Sequence, residues 1–358
     1  MMKRRLFSLL LVLCLLVSVL PAGAYAAGNS GSCGDNVKWA FDPATGTMTL
    51  SGSGETYLYS RGEPIPWADL KPQITKVVVG EGITIIGYDF FKDCTALTEV
   101  ELPGTLLELA SGVFQNCTSL SAATVKSALI ALPQDTFSGC TALQSVSLPA
   151  GMTSIGREAF KNCSALSSIS LPEALTSLER EAFAGSGLTK AVIPARITAI
   201  GEQAFDECTS LADVEIRCPS SAFEVGSYYY MEFFKNVPFH APDSTETNLS
   251  IPADWTEIPD YLFRYSALLD TDFLTDVPAL TRLGTCSFAE MPVLERVTIP
   301  GTVTTIGSQA FYESFDCVST LVIPESVTTL ESTSAGTCQQ FFTFNTTLRD
   351  VYIMNPDL

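Results

Sequence analysis

A single repeated pattern constrains the fold of this chain more than any other feature of its sequence. Residues 155–172 show it most clearly and read I-G-R-E-A-F-K-N-C-S-A-L-S-S-I-S-L-P. The phenylalanine of the pattern recurs at intervals of 22 to 31 residues, and half of the intervals are 23 residues long. A repeat of this length predicts a solenoid, in which each repeat forms one coil and stacks on the next. The recurring phenylalanines are Phe91, Phe114, Phe137, Phe160, Phe183, Phe205, Phe234, Phe263, Phe288, Phe311 and Phe342.

The second half of the pattern predicts a strand and its end. Leu166, Ile169 and Leu171 are spaced as in a short strand with one buried face. Pro172 follows at once and ends the strand, because proline cannot donate a backbone hydrogen bond to a ladder. A second short apolar pair then follows in each coil.

The first half of the pattern is a glycine followed by an Ala–Phe pair. We expect the glycine to occupy a tight turn that needs positive φ, and the Ala–Phe pair to form one turn of helix or 3₁₀ with its ring inward. Because one coil cannot bury its own apolar side, we predict a leucine-rich repeat solenoid of about eleven coils. It would have parallel β-strands, short helix or 3₁₀ segments, and an N-terminal β-hairpin cap. The glycines are Gly87, Gly156, Gly201 and Gly307.

The first 26 residues have the three parts of a secretory signal peptide. Residues 3–5 are basic, residues 6–20 are apolar, and residues 24–26 read Ala-Tyr-Ala, which predicts cleavage after Ala26. The apolar run is shorter than the roughly 20 residues that span a bilayer, so we expect a secreted or cell-surface protein without membrane insertion. Loss of three basic residues takes the formal net charge from −19 to −22, which disfavours nucleic acid as a partner.

The segment before the repeats has the pattern of a β-hairpin, with two alternating stretches around a short turn. Solenoid ends need a cap over the exposed core, and we expect Trp39 and Trp67 to cover the first coil. Long phenylalanine intervals indicate insertions, which form surface loops in repeat proteins. The predicted segments are therefore a signal peptide (1–26), a cap (27–73) and a solenoid (74–358), with insertions near 218–250 and 331–341.

Cysteine and histidine usage argues against a catalytic or metal site. One group of cysteines lies three residues after the repeat phenylalanine, where small buried free thiols would form a column. There is no C-x-x-C pair, and the sole histidine, His240, cannot supply an H-E-x-x-H site. We therefore predict no enzyme activity, no cofactor and no bound metal. The column is Cys94, Cys117, Cys140, Cys163 and Cys208; any disulfide is expected among Cys33, Cys218, Cys286, Cys317 and Cys338.

The repeated pattern, which covers residues 74–356, closely resembles the leucine-rich repeats of the bacterial BspA-like surface proteins. Residues 33–39, C-G-D-N-V-K-W, and the hairpin that they begin resemble the lead-in of such proteins from Gram-positive gut bacteria. The resemblance implies an exported protein, displayed on the cell or shed from it, that takes part in adhesion to host proteins or other cells. The family has no shared ligand residues to assign here.

Two groups of residues are candidates for ligand contact. Hydroxyl-bearing and charged side chains would tile the open face of the sheet, which solenoids use for recognition. Exposed tyrosines of an aromatic insertion would make good anchors, although its phenylalanines could simply fill an expanded coil. The sheet candidates are Glu99, Glu101, Ser145, Ser147, Ser168, Ser170, Asp213 and Glu215, in columns that also hold Ala123, Thr124, Lys190 and Val192; the insertion candidates are Tyr228, Tyr229, Tyr230 and Phe233.

These features together predict an exported, monomeric, non-enzymatic binding protein. Its partner would be an extracellular protein or glycan of a host or neighbouring cell. Two alternatives remain open at this point. The solenoid could target a larger secreted protein whose catalytic or anchoring module lies beyond residue 358, or it could serve as a structural spacer.

Overall fold

A computed structural model describes residues 28–59, 64–126, 128–223, 232–245, 247–314, 318–331 and 348–358. These residues form a parallel β-solenoid of about eleven coils with little helix, which confirms the predicted fold class. In chain order the strands are β1 (Ser30–Ser32), β2 (Val37–Asp42), β3 (Thr47–Gly52), β4 (Gly54–Glu55), β5 (Lys76–Val79), β6 (Ile83–Ile86), β7 (Glu99–Leu102), β8 (Glu108–Leu109), β9 (Ala122–Val125), β10 (Ala131–Leu132), β11 (Ser145–Ser147), β12 (Ser154–Ile155), β13 (Ser177–Leu178), β14 (Lys190–Ile193), β15 (Ala199–Ile200), β16 (Asp213–Ile216), β17 (Leu249–Ser250), β18 (Glu257–Ile258), β19 (Arg282–Leu283), β20 (Thr305–Ile306), β21 (Thr320–Ile323), β22 (Thr329–Leu330) and β23 (Asp350–Ile353).

The strands line up in two sets along the solenoid. The first set contains the hairpin strands and, in each coil, the strand that in most coils precedes a proline, and the second contains the strand after it. The first set forms three sheets, ordered β1-β2-β3-β5-β7-β9-β11, β14-β16-β17 and β21-β23. The second set forms the sheets β4-β6-β8, β10-β12-β13-β15 and β18-β19-β20-β22. Short 3₁₀ segments lie at Ala68–Gln73, Ser220–Phe223 and Asp272–Asp276, and no helix among the described residues is long and apolar enough to cross a membrane.

One predicted strand does not form. Ile169 and Leu171 turn partly inward as the pattern requires, but the chain around them pairs with neither neighbouring coil as a strand. The sheet is interrupted at this coil, between β11 and β14.

The repeat phenylalanines from Phe91 to Phe311 form one continuous column of buried rings, and Phe342 lies outside the described residues. The rings of Phe160 and Phe183 lie 5.2 Å apart at their centroids and are tilted by 5°. Phe137 and Phe160 are 5.6 Å apart, and Phe288 and Phe311 are 5.4 Å apart. These distances lie within the range of about 4.5 to 7 Å that favours ring pairs. The inward orientation predicted for the Ala–Phe pair is confirmed.

The glycine of the repeat is needed for a different reason than predicted. Gly87, Gly156, Gly201 and Gly307 do not have positive φ. A Cβ atom on Gly201 would lie 2.3 Å from the backbone nitrogen of Arg180 in the preceding coil. The glycine is therefore required because two coils approach each other backbone to backbone at this point.

Positive φ occurs instead two residues before and two residues after the phenylalanine. In the coil of Phe160 these residues are Glu158, with φ of 55°, and Asn162, with φ of 59°. The segment between them is a series of turns rather than helix. Its alternate N–H groups donate to the next coil, from Glu158 to the carbonyl of Arg180 at 3.0 Å and from Phe160 to that of Ala182 at 2.8 Å. The turns thus act as a third hydrogen-bonded ladder along the solenoid.

The N-terminal end is covered as predicted. Strands β2 and β3 form an antiparallel hairpin, and β3 pairs in parallel with β5 of the first coil. The rings of Trp39 and Trp67 lie 5.4 Å apart, and Trp67 contacts Phe90 at 4.8 Å. The indole nitrogen of Trp67 donates to the carbonyl of Phe90 at 3.2 Å, so its one polar atom is satisfied inside the cap.

The cysteine column is buried and its thiols are free, as predicted. The thiols of Cys117, Cys140, Cys163 and Cys208 each lie near the phenylalanine carbonyl of the preceding coil, and the Cys140 sulfur is 3.1 Å from the oxygen of Phe114. Ser314 makes the equivalent bond to Phe288, whereas Val237 and Met291 fill the same position without a donor. Off the column, Cys33, Cys218 and Cys286 are also buried and free, whereas Cys317 and Cys338 lie outside the described residues.

Thiol labelling tests this arrangement. Burial raises the pKa of Cys94 and of Cys163 to about 12, which leaves almost no thiolate at pH 8. We expect iodoacetamide to react with the native protein on the order of a thousandfold more slowly than with the protein in 8 M urea, where labelling should be complete without reductant. Rapid labelling of the native protein would contradict a buried column. Resistance of the unfolded protein would reveal disulfides instead.

Candidate binding surface

Strands β5, β7, β9 and β11 present one exposed surface, which we call the sheet face. Glu101 pairs in register with Thr124, and Thr124 pairs with Ser147. Glu99 and Ser145 lie two residues before Glu101 and Ser147 on the same strands and on the same side of the sheet, and both are exposed. The fold therefore brings four of the predicted contact residues, Glu99, Glu101, Ser145 and Ser147, together on one continuous sheet.

A shallow depression of about 390 Å³ lies on this surface. Glu99 and Glu101 of β7 form part of its lining, together with Lys76 and Thr124 on the neighbouring strands. Glu81, in the turn after β5, adds a third carboxylate. Its volume falls in the range of about 300 to 1,000 Å³ that is usual for ligand sites.

The sheet face carries one correction to the predicted columns. Ala123 was assigned to the exposed side, but it is buried, and its neighbour Ala122 lines the depression. The register shows the reason, because both Glu99 and Ser145 pair with Ala122. Because Ala122 and Ala123 are identical in polarity, the sequence does not show which of the two faces the core.

The remaining sheet candidates lie apart from the depression. Ser168 and Ser170 are exposed, but they fall in the interruption between β11 and β14. Asp213 and Glu215 lie on β16 of the second sheet, where Lys190 donates to Asp213 at 2.7 Å. Arg217 donates to Glu215 at 2.7 Å, and this hydrogen bond lowers the pKa of Glu215. These two carboxylates are therefore matched by cations of the same chain.

The aromatic candidates divide into two groups. Tyr228, Tyr229 and Tyr230 lie outside the described residues. Phe233 was a contact candidate in the same insertion, with the alternative that it fills the expanded coil. Its side chain is fully buried and its ring contacts Phe223 at 5.3 Å, because it fills the expanded coil. The alternative reading of this phenylalanine, as a core residue, is the one that the structure supports.

The edge formed by the turns around the phenylalanine column holds a second depression, which the sequence did not reveal. We call it the turn-edge notch. Its volume is about 170 Å³. It lies at Ala184 and Gly185, the two residues after Phe183. The residues at these positions are Lys161 and Asn162 in the coil before, and the first of them is Asp206 in the coil after. The one available signal was the shortened repeat around Phe183, where Ser186 also replaces the column cysteine.

Asp206 is the most perturbed carboxyl group of this edge. Its side chain is only 4% exposed, and its Oδ1 atom accepts a hydrogen bond from the backbone N–H of Lys235 at 3.0 Å. The Oδ2 atom has no hydrogen-bond partner among the described residues. Burial, and to a lesser degree the nearby charge of Glu232, raise the pKa of Asp206 to about 7, against the opposing effects of the Lys235 N–H and the Gln203 side chain.

The remaining predicted chemistry concerns metals and histidine. Among the residues that the structure describes, no group of three His, Cys, Asp or Glu side chains could hold a metal ion. His240 lies with its Nδ1 atom 2.9 Å from the carbonyl oxygen of Ala241.

The repeats of this chain match a known family over most of its length. Residues 70–186, 131–247 and 240–342 each match the family described as BspA type leucine-rich repeat region, in its six-copy form. The chain belongs to the BspA-type leucine-rich repeat family. The matched residues include β5 to β22, and with them both the sheet face and the turn-edge notch. The resemblance drawn from the sequence is thereby confirmed.

Several solved structures are similar to this BspA-type solenoid. A leucine-rich cell surface protein from Faecalibacterium prausnitzii A2-165 is 21% identical with a TM-score of 0.47, and the match covers 94% of this chain and 96% of that one. A leucine-rich repeat protein from Eubacterium ventriosum ATCC 27560 is 20% identical with a TM-score of 0.46, over 90% and 84% of the two chains. One from Bacteroides ovatus ATCC 8483 is 20% identical with a TM-score of 0.42, over 90% and 92%. No curated protein gives a significant match.

The burial of Asp206 predicts a pH-dependent stability. Between its ordinary pKa of 3.8 and its folded pKa of about 7, the unfolded chain has released the proton while the folded chain retains it. Stability should therefore fall as the pH rises through this window, by up to about 4 kcal/mol for this group, and change little from it above pH 7. Asp206→Asn should remove this component. Urea unfolding at pH 5 and at pH 8 measures the difference.

The control for this test is Asp243→Asn, which removes an exposed carboxylate. It should leave the pH dependence of the free energy of unfolding as in the wild type. An equal pH dependence in wild type and Asp206→Asn would show that Asp206 is not buried in the way described.

Proposed function

We propose that this BspA-type solenoid is an exported, non-enzymatic binding protein that recognises an extracellular protein or glycan through its sheet face. The observation that supports this most directly is the depression on β5, β7 and β9. It is concave, and its lining combines valines, Pro103 and Ala122 with five polar side chains that the core does not use, Glu99 and Glu101 among them. The stacking of the coils depends on backbone hydrogen bonds and core packing, and neither needs a carboxylate at these exposed positions.

Export is proposed from the sequence of the first 26 residues. The folded core suits that route, because its thiols are buried and have strongly raised pKa values. They would stay reduced after export without forming disulfides. We propose a location at the cell surface or in the medium.

The charges around the depression favour a partner with a basic or hydrogen-bond-donating surface. Three carboxylates, Glu81, Glu99 and Glu101, lie against the single ammonium group of Lys76 in its lining. Lys126 forms an ion pair with Glu101 at the border, and both side chains are more than half exposed. An exposed pair of this kind contributes only about 0 to 1 kcal/mol, so a partner cation could displace Lys126 at little energetic cost.

A binding screen with matched variants tests the proposal. Residues 27–358 would be probed against arrays of extracellular matrix proteins and host glycans, beside the double variant Glu99→Gln and Glu101→Gln. We expect at least one partner whose affinity falls about tenfold or more in the variant, which corresponds to about 1.4 kcal/mol or more. Lys126→Gln should preserve or strengthen binding, since it releases Glu101.

The control removes the same charge elsewhere. Asp254→Asn with Glu325→Gln changes two exposed carboxylates in the turns that follow the first-set strands. This double variant should bind as the wild type does. Equal loss in both double variants would show that net charge alone drives binding. The absence of any partner would contradict the proposal and favour a spacer or targeting role.

A further inference from the structure

A column of threonines runs along the start of the second-set strands, and it is broken in two successive coils. Six of these threonines donate from Oγ1 to the carbonyl oxygen of the same position in the coil before, as Thr176 does to Thr153 at 3.0 Å. Leu107 and Ile130 take this position in the two exceptional coils. The threonines are Thr84, Thr153, Thr176, Thr198, Thr256, Thr281, Thr304 and Thr328.

Both aliphatic side chains lie largely in solvent. Leu107 is 61% exposed and Ile130 is 66% exposed, the two highest values among the large apolar side chains of the described residues. Their backbones keep the place of the column, since Leu107 N–H donates to the carbonyl of Thr84 at 2.8 Å and Thr153 N–H donates to that of Ile130 at 2.7 Å. A single exposed apolar side chain is ordinary, but a neighbouring pair in place of hydroxyl groups indicates a contact site. We call Leu107 and Ile130 the aliphatic patch.

The aliphatic patch does not serve to repair the fold. Among the described residues, β8 pairs with β6 and β10 pairs with β12, but β8 and β10 do not pair with each other. Pro133 follows β10 at the position where Gly156 of the next coil donates to the coil before, and proline has no N–H to do so. Leu107 and Ile130 stay mostly exposed beside this break, so core packing does not account for them.

The aliphatic patch adjoins the sheet face around one corner of the coil. Pro103 lines the depression, and Leu107 follows it by four residues. In the next coil Lys126, the ion-pair partner of Glu101, precedes Ile130 by four residues. Four residues span at most roughly 14 Å, and a typical interface covers about 800 Å² on each partner. A partner bound over the depression would therefore also reach the patch.

The composition of the patch selects a protein over a glycan. Hydroxyl groups of a glycan placed against Leu107 and Ile130 would lose their hydrogen bonds to water, and two aliphatic side chains offer none in return. A large apolar side chain of a protein loses no hydrogen bond there, and its burial is favourable.

The charges beside the patch select a basic partner over a second copy of this chain. Glu108, next to Leu107, is exposed and forms no ion pair among the described residues. Two copies that met symmetrically at the patch would bring their Glu108 carboxylates together. Each copy would also carry the formal net charge of −22 that remains after loss of three basic residues from −19. A partner with a lysine or arginine beside its apolar side chain has the complementary charge.

From these features we propose that the aliphatic patch is a docking surface for an extracellular protein. The partner packs a large apolar side chain against Leu107 and Ile130 and places a neighbouring lysine or arginine near Glu108. This deepens the proposed function and rests on it, because the same protein would cover the sheet face on the adjoining side of the coil. It also commits the partner to the protein class.

A selection of random 12-residue peptides displayed on phage tests the proposal. Residues 27–358 serve as the bait, and biolayer interferometry measures the dissociation constant of each recovered peptide. We expect recovered peptides in which a large apolar residue lies next to a lysine or arginine. Their affinity should fall about tenfold or more in the double variant Leu107→Thr with Ile130→Thr, which corresponds to about 1.4 kcal/mol or more.

This double variant is expected to fold, because threonine is the residue that the other coils hold at the same position. Its urea midpoint should equal that of the wild type or exceed it, since each new hydroxyl group can donate to the carbonyl of the coil before. If the double variant fails to fold, Ile130→Thr alone decides. Glu108→Gln should weaken peptide binding about two- to fivefold, as expected for loss of an exposed ion pair.

The control removes exposed apolar side chains towards the C-terminal end of the chain. Val322→Thr with Met354→Thr changes two side chains that are about half exposed. This variant should bind the recovered peptides as the wild type does. An equal loss of affinity in both double variants would show that exposed apolar area in general, and not the patch, binds the peptides.

Other results would also overturn the patch proposal. They are that no peptide is recovered, that the peptides lack the basic and apolar pair, that they bind the wild type and Leu107→Thr with Ile130→Thr equally, or that sedimentation equilibrium shows a dimer which this variant abolishes. The array screen separates these failures from failure of the proposed function. Glycan partners alone, or protein partners lost only with the sheet-face variant, would remove the patch and leave the sheet-face proposal standing. Peptides that depend on the patch, with no partner on the arrays, would do the reverse.

Discussion

Backbone-to-backbone contact between successive coils is the interaction on which this structure depends. The N–H groups around each phenylalanine donate to carbonyls of the following coil, as Phe160 does to Ala182 at 2.8 Å. Two ladders of strands add the same kind of bond on the other sides of the coil. The backbone hydrogen bonds therefore fix the distance between coils, and the side chains must fit that distance. Glycine occurs where the backbones of two coils are nearest. Residues with positive φ occur on either side of the phenylalanine, where alternate N–H groups donate to the following coil.

This spacing turns the sequence repeat into columns of like side chains. The phenylalanine rings stack at 5.2 to 6.1 Å along the core from Phe91 to Phe311. The thiols form a second column, in which those after Cys94 are each placed against a carbonyl of the coil before. A column that is uniform stabilises the core. A column that changes its residue type, as at Ala184, leaves a gap of defined size at the surface.

The parts of the fold that repeat could be predicted from the sequence, because period and hydrophobic pattern report directly on which side chains are buried. The phenylalanine column, the buried cysteines and the tryptophan cap belong to this class. The reason for the glycine could not be predicted, since sequence does not distinguish a need for positive φ from a need for close approach. Ala123 was misplaced because alanine gives little contrast between the two sides of a strand, and Phe233 because an insertion removes the register.

The candidate sites were predicted only in part. Glu99 and Glu101 were identified because charged residues in a strand column must face solvent. The depression between them and Lys76 depends on the twist and spacing of β5, β7 and β9, which no local pattern contains. Asp206 was missed because an aspartate in a turn is usually exposed. Its hydrogen bond from Lys235 belongs to the next coil and forms only after stacking.

Glycine substitution tests most directly whether close coil-to-coil contact determines the fold. Gly201→Ala would place a Cβ atom 2.3 Å from the backbone nitrogen of Arg180, whereas a Cβ atom on Gly104 meets nothing within 4 Å. Urea unfolding of both variants gives the comparison. We predict that Gly201→Ala lowers the free energy of unfolding by at least about 2 kcal/mol, and that Gly104→Ala changes it by less than about 0.5 kcal/mol. Equal, small effects in both variants would contradict the account.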